Sequence, residues 1–170
     1  MEATKKSKKK QEKISDHISF KEATYSQTAS KHKIKNVPTE AHLKNMKVLA
    51  EKCFEPLREW CDHPIRVNSM YRSQELCEAI PNSSKTSQHT CNNGAAIDMT
   101  SLGEKSNREL FFWIKDNLDF DQMIWEFGKS PDSEDGSPRW IHLSYVSKKA
   151  NRNNVLVAKY KGSQATYYKM

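Results

Sequence analysis

His89, Asp98 and His142 are the residues whose types and spacing could do chemistry. His89 and Asp98 lie in Ser87-Gln88-His89-Thr90-Cys91-Asn92-Asn93-Gly94-Ala95-Ala96-Ile97-Asp98, and His142 in Trp140-Ile141-His142. Two imidazoles and one carboxylate, with a fourth position left open, form the ligand set of a hydrolytic zinc site. The two pieces are far apart in the chain, and each is an apolar or small-residue stretch that reads as a strand or strand edge. A site assembled across strands of one sheet is therefore expected, and with it a zinc hydrolase.

The hydrophobic pattern predicts the elements that position these groups. Pro38-Thr39-Glu40 reads as a helix start with Thr39 as N-cap. Leu43, Met46, Ala50, Cys53, Leu57 and Trp60 then recur at helical spacing, and Pro56 should bend that helix or begin a new turn. Ile65–Asn68 reads as a strand running into Tyr71-Arg72-Ser73, Glu75–Ile80 as a short helix, and the polar loop after it delivers Ser87 to His89. Ala95–Thr100 is the next strand. Ser106-x-x-Glu109 is a capping box opening a helix with Leu110, Ile114 and Leu118 inward. Gln122–Phe127 and Trp140–Val146 are strands joined by the loop Gly128–Arg139, and Val155–Tyr160 reads as a final, Lys-bearing edge strand. Ile14–Val37 is expected to give a short helix and loop. Helices come early and in the middle while strands cluster late, so the fold class is α+β: a single domain, with a small, mostly antiparallel sheet flanked by helices and the zinc site on the sheet. Residues 1–13 are expected to be a disordered basic tail, 14–161 the domain, and 162–170 a C-terminal tail.

Composition narrows the classes. The chain has 170 residues, enough for one core, with 36% hydrophobic residues and a mean hydropathy of -0.88. No run approaches the roughly 20 apolar residues of a membrane span. Met1–Lys13 is too polar for a secretion leader, so the cytoplasm of the producing cell is the expected place of synthesis. The net charge of +7 draws the chain to polyanions. Much of it sits in Lys5, Lys6, Lys8, Lys9, Lys10 and Lys13 and in Lys31–Lys35, a pattern of solvated charge, and no nucleic-acid-reading motif accompanies it. No specific nucleic-acid partner is expected, and a monomer is. The four cysteines form no CxxC pair and read as free thiols, Cys53 as a core residue.

The segment Ser87-x-His89-x4-Gly94-x-Ala96-x-Asp98 resembles the SxHxxGxAxD signature of the zinc D-Ala-D-Ala metallopeptidase family. That family includes VanX-type dipeptidases and phage endolysins, and is related in fold to the Hedgehog signalling domain. Trp140-Ile141-His142 resembles its later WxH element, Tyr71-Arg72-Ser73 its SGYRS turn, and Asp121–Glu126 a strand of its phage-type branch. The similarity runs over about Ser15 to Lys161. It implies one zinc ion per chain on His89, Asp98 and His142, and peptide stems of bacterial peptidoglycan as substrate. The bond would be that of a D,D-carboxypeptidase or an L-Ala–D-Glu-type endopeptidase. The lack of a leader would suit a phage lysin that reaches the wall on release or within a virion. Arg72 would hold a substrate carboxylate or carbonyl oxygen, with Ser87 and Gln88 as further substrate contacts.

Two departures from the family pattern stand out. His89 and Asp98 are nine residues apart where the pattern has seven, and the longer stretch brings in Cys91, so a Cys-containing metal site is an alternative. An even insertion keeps side-chain parity on an extended strand. The position three before His142, often acidic in the family, is Arg139. A general base is still required, and Glu126, brought beside His142 by a hairpin, is the leading candidate over Asp121 and Glu134. A catalytically silent zinc-containing binding module is the competing reading.

Overall fold

The computed structural model describes residues 13–170 except Asn82 and Lys85; the expected basic tail lies outside the described residues but for Lys13. The described residues form an α+β domain around a six-stranded sheet: β1 (Ile65–Ser69), β2 (Ala95–Ser101), β3 (Gln122–Glu126), β4 (Trp140–Tyr145), β5 (Asn154–Lys161) and β6 (Gln164–Lys169). Their order across the sheet is β1-β2-β4-β3-β5-β6, antiparallel throughout except for the β3/β5 pair. Six helices accompany it: α1 (Phe20–Thr24), α2 (Gln27–His32), α3 (Glu40–Leu49), α4 (Glu55–Cys61), α5 (Gln74–Ala79) and α6 (Asn107–Asn117).

Strand alternation divides the sheet into two faces. Ile97, Met99, Ile141, Leu143, Met123, Trp125 and Val157 point to one side and join Met46, Leu49, Cys53, Phe54, Leu57, Leu110, Phe111 and Ile114 from the helices in one buried core. The opposite face carries Asp98, His142 and Glu126. The register sets them side by side: Asp98 pairs with His142, and Ile124, two residues before Glu126, pairs with His142 from the other side. An irregularity in β1 between Val67 and Ser69 brings Ser69 opposite Asp98.

The helix starts follow the sequence. Thr39 accepts from the backbone of His42, whose own ring accepts from the Thr39 N–H; Ser106 and Glu109 form the expected capping box. Pro56 has its effect just upstream: Ala50–Phe54 is a π-helical turn, in which the Glu55 N–H bonds Ala50 O, and α4 starts with Pro56 in its first turn. The backbone thus absorbs the missing N–H without breaking the apolar stripe.

Three expectations need correction. Ile14–Val37 holds two short helices rather than one, capped by Ser19 and Ser26. The strand at 155–160 is not an edge, because β5 lies between β3 and β6. The residues set down as a C-terminal tail supply β6, paired with β5 from Lys169 opposite Leu156 to Gln164 opposite Lys161. The turn Gly162-Ser163 makes this hairpin, with Gly162 at φ +64.

The connection between β3 and β4 is tied down by α6. Arg108 Nη1 lies 3.1, 3.2 and 3.1 Å from the carbonyl oxygens of Pro131, Ser133 and Gly136, and its guanidinium rests on the rings of Phe112 and Trp125. At the entry to β2, Gly94 has φ +77, and a Cβ there would collide with the Tyr145 carbonyl oxygen of β4. Both constraints select glycine. Gly94→Ala should therefore cost on the order of 2–4 kcal/mol, as strain at a required left-handed position plus a backbone clash. Urea unfolding monitored by circular dichroism would read this as a lower midpoint at unchanged slope.

Candidate metal and catalytic site

His89 reaches the site from a 3-10 turn, Gln88–Thr90, and not from a strand as its sequence context suggested. The reason is Ser87. Its hydroxyl accepts from the His89 N–H, and its carbonyl accepts from both the N–H and the hydroxyl of Thr90. These local bonds outcompete extension. The two extra residues are absorbed by this turn, by the left-handed Cys91 (φ 58) and by the bend leading to Gly94, so strand parity plays no part. The bend is anchored from α3, where Asn45 donates to Cys91 O and the His42 ring meets Asn92 Oδ1 at 2.9 Å. His42, which sequence gave no role, both caps its helix and holds the longer stretch.

The ring of His89 is set by its backbone neighbours. Nδ1 lies 2.8 Å from the Met70 carbonyl, which can only accept, so the proton is on Nδ1 and the lone pair on Nε2. The His89 carbonyl accepts in turn from the Arg72 N–H at 2.9 Å, strapping the turn to the segment after β1. Nε2 of His89 stands 3.2 Å from Asp98 Oδ1, and His142 Nδ1 stands 2.9 Å from the same oxygen. Arg72 holds the other oxygen, with Nη2 to Asp98 Oδ2 at 2.7 Å, while its Nε donates to Ser69 Oγ at 2.9 Å. Burial pushes the Asp98 carboxyl up, but the adjacent His89 and His142 more than reverse this and hold it well below the usual carboxylate range. Burial pushes His89 down, which Asp98 only partly opposes, so its imidazole is neutral at pH 7.

Ligand atoms of His89, Asp98 and His142 lie within 4.8 Å of one another. The lone pair of His89 Nε2 faces a carboxylate oxygen, acceptor against acceptor, and a cation between them makes that contact attractive. The three residues thus fit a metal ion, and two imidazoles with one carboxylate suit zinc. Cys91 stands apart from this group. It is buried in the apolar core, its thiol directed at the His89 carbonyl and pushed up to about 12 by burial.

Glu126 occupies the same sheet face, with 8% of its surface exposed. Burial, with help from the Asp98 charge, lifts its carboxyl to about 7 against the opposing pull of His142 and Arg72. Asp121 is differently employed: it accepts from Arg152 Nε at 2.8 Å, Arg152 Nη2 at 2.6 Å and Gln88 Nε2 at 2.9 Å. Glu134 is exposed in the β3–β4 connection. Arg139 is also exposed, at the edge of β4.

A model of the family described as Peptidase M15 matches residues 16–130. The chain belongs to the peptidase M15 family. It is accordingly a metallopeptidase, of a family that is zinc-dependent in general. No curated protein and no solved structure matches it. The family match takes in Arg72, His89, Asp98 and Glu126 and ends before His142, which the β2–β4 pairing brings to the group. In this M15 peptidase Ser87 and Gln88 serve the turn and Asp121, and together they line a polar cleft of about 550 Å³ with Asn92 and Arg152. Arg152 is the residue that sequence reasoning missed here, since Asn151-Arg152-Asn153 carries no spacing signal.

Two outcomes follow for this site. Purified protein should carry close to one zinc per chain, and His89→Ala, Asp98→Ala or His142→Ala should each remove most of it, whereas Cys91→Ser should not; plasma emission spectrometry measures all four. The Asp121–Arg152 pair gives a pH signature. Burial raises the Asp121 carboxyl, but its bonds to Arg152 and Gln88 overcome this and hold it below 3.8. Its stabilisation is thus full above pH 3.8 and disappears as pH falls through the folded-state value. Arg152→Ala leaves a buried carboxylate short of partners, costing about 1–3 kcal/mol at pH 7. The gap from wild type should narrow below pH 3.8, as denaturant titrations at both pH values would show.

Proposed function

We propose that this M15 peptidase is a zinc enzyme that hydrolyses peptide bonds in the stems of bacterial peptidoglycan, in the manner of a phage lysin. The observation that carries the hydrolytic part of this reading is Glu126: a carboxyl poised at about 7 on the same sheet face as His89, Asp98 and His142. His89 through Nε2, Asp98 through Oδ1 and His142 through Nδ1 would hold the ion. Zinc there would polarise the scissile carbonyl and acidify the attacking water.

The remaining work falls to the chain. Glu126, ionised, accepts the proton of the attacking water and returns it to the leaving amine nitrogen as the C–N bond breaks. Its elevated pKa suits both halves of that transfer. Arg72 fixes Asp98 through Nη2, and the rest of its fork is the group we assign to a substrate oxygen. Ser87 and Gln88 contribute through the cleft they line. The peptidoglycan substrate rests on the motif resemblance; the polar cleft is lined by Gln88 and Thr90, the neighbours of His89 in the chain. The silent-module reading drew on Arg139 in the place of an acid; Glu126, arriving from the neighbouring strand, supplies the missing carboxylate.

Digestion of purified peptidoglycan followed by mass spectrometry of the fragments tests the assignment and names the bond. New amine and carboxyl ends within the stem are expected, and intact stems after exhaustive digestion would reject the substrate. Glu126→Gln should keep its zinc and lose ~10²–10⁴-fold in kcat. The acid limb of wild-type kcat/KM should fall at or below about pH 7, because the base must be ionised and a nearby cation lowers its pKa further.

A further inference from the structure

The C-terminal hairpin places a tyrosine at the edge of the site. On β5, Ala158 pairs with Glu126 of β3 on one side and with Tyr167 of β6 on the other. Cα-paired residues share a face, so Glu126, Ala158 and Tyr167 form one row on the face that bears the metal-ligand group. Two strand spacings separate Glu126 from Tyr167, ~10 Å between backbones. The residue between them is an alanine, whose short methyl is completely buried beneath longer neighbours.

The charges around the tyrosine agree with this placement. Its phenol is raised above the ordinary value first by burial and then by the negative charges of Glu126 and Asp98, so the ring end lies within their field and keeps its proton at neutral pH. On the outer side Tyr160 is stacked on Phe127 at 4.2 Å, and Phe127 meets Trp140 at 5.4 Å, which makes an aromatic wall next to Glu126. Tyr167 nonetheless keeps 53% of its surface exposed. A half-exposed phenol in one row with Glu126, near this wall, is in place to meet a ligand.

We propose that Tyr167 is a substrate-contacting residue of this peptidase, its hydroxyl donating a hydrogen bond to the oxygen of the peptide group attacked opposite Glu126. The inference rests on the peptidase reading of the site but not on which peptide is cut. A donor aimed at that oxygen counts most when the carbonyl becomes tetrahedral and its oxygen gains negative charge. Tyr167, like His142, lies beyond the span matched by the family model.

Tyr167→Phe removes only the hydroxyl and keeps the ring. Two probes are measured on the zinc-loaded full chain: turnover of a synthetic stem pentapeptide, and the dissociation constant of a phosphinic dipeptide, whose charged tetrahedral group copies the attacked carbonyl. Tyr167→Phe should lower kcat about tenfold or more with little change in KM, and should weaken phosphinate binding by a similar factor, at unchanged zinc content and melting temperature. Equal phosphinate binding in the two proteins overturns the proposal, even if Tyr167→Ala impairs both probes, because the ring would then be only a wall. A wild type that ignores the pentapeptide yet loses phosphinate affinity on Tyr167→Phe rejects the stem substrate and upholds the tyrosine.

Discussion

Asp98 is where the structure concentrates its electrostatic demand. A carboxylate in the middle of β2, 8% exposed, is held between two imidazoles on one oxygen and a guanidinium on the other. A buried charge of this kind is tolerable only when paired: His142 and Arg72 can donate to it, and a cation would join it to the lone pair of His89. Each partner must then be delivered by its own element. The β2/β4 register delivers His142, the irregularity in β1 with Ser69 and Arg72 delivers the guanidinium, and the capped turn after α5 delivers His89. A shift of one residue in the β2/β4 pairing would turn either Asp98 or His142 into the apolar core.

The neighbouring carboxylates show how environment separates identical chemistry. Asp98 and Asp121 are both buried, and both are held low by cationic or hydrogen-bonding partners. Glu126 is lifted to about 7 by burial first and by the negative Asp98, which His142 and Arg72 only partly offset. Proton exchange near neutrality is therefore confined to one member of the set, while the others remain fixed charges. Sequence alone ranks the three candidate bases only by position; burial and partners are what distinguish them.

The core of this arrangement was legible because its signals are local or strictly periodic. The stripe from Leu43 to Trp60, the Ser106–Glu109 box and the alternation in β2, β3 and β4 predicted the elements, and residue type singled out the three residues that the structure gathers into a cluster able to hold a metal. What escaped depends on contacts made by backbone or across long separations. Ser87 bonding its own turn made His89 helical, where the flanking small residues read as strand. Tyr167 and Tyr168 lie in a polar, Lys-bearing segment that reads as a tail until β5 provides an edge for it. Arg152 reveals its purpose only when Asp121 is in place, thirty-one residues earlier in the chain.

The clamp by Arg108 carries a dynamic consequence. A loop that closes over its ligand must exchange one set of main-chain bonds for another, and its ordering is repeated at every encounter. The β3–β4 connection has three of its carbonyls gathered on one guanidinium, which is itself seated on Phe112 and Trp125. Its conformational entropy is surrendered once, during folding, so a ligand arriving beside Glu126 meets a finished rim.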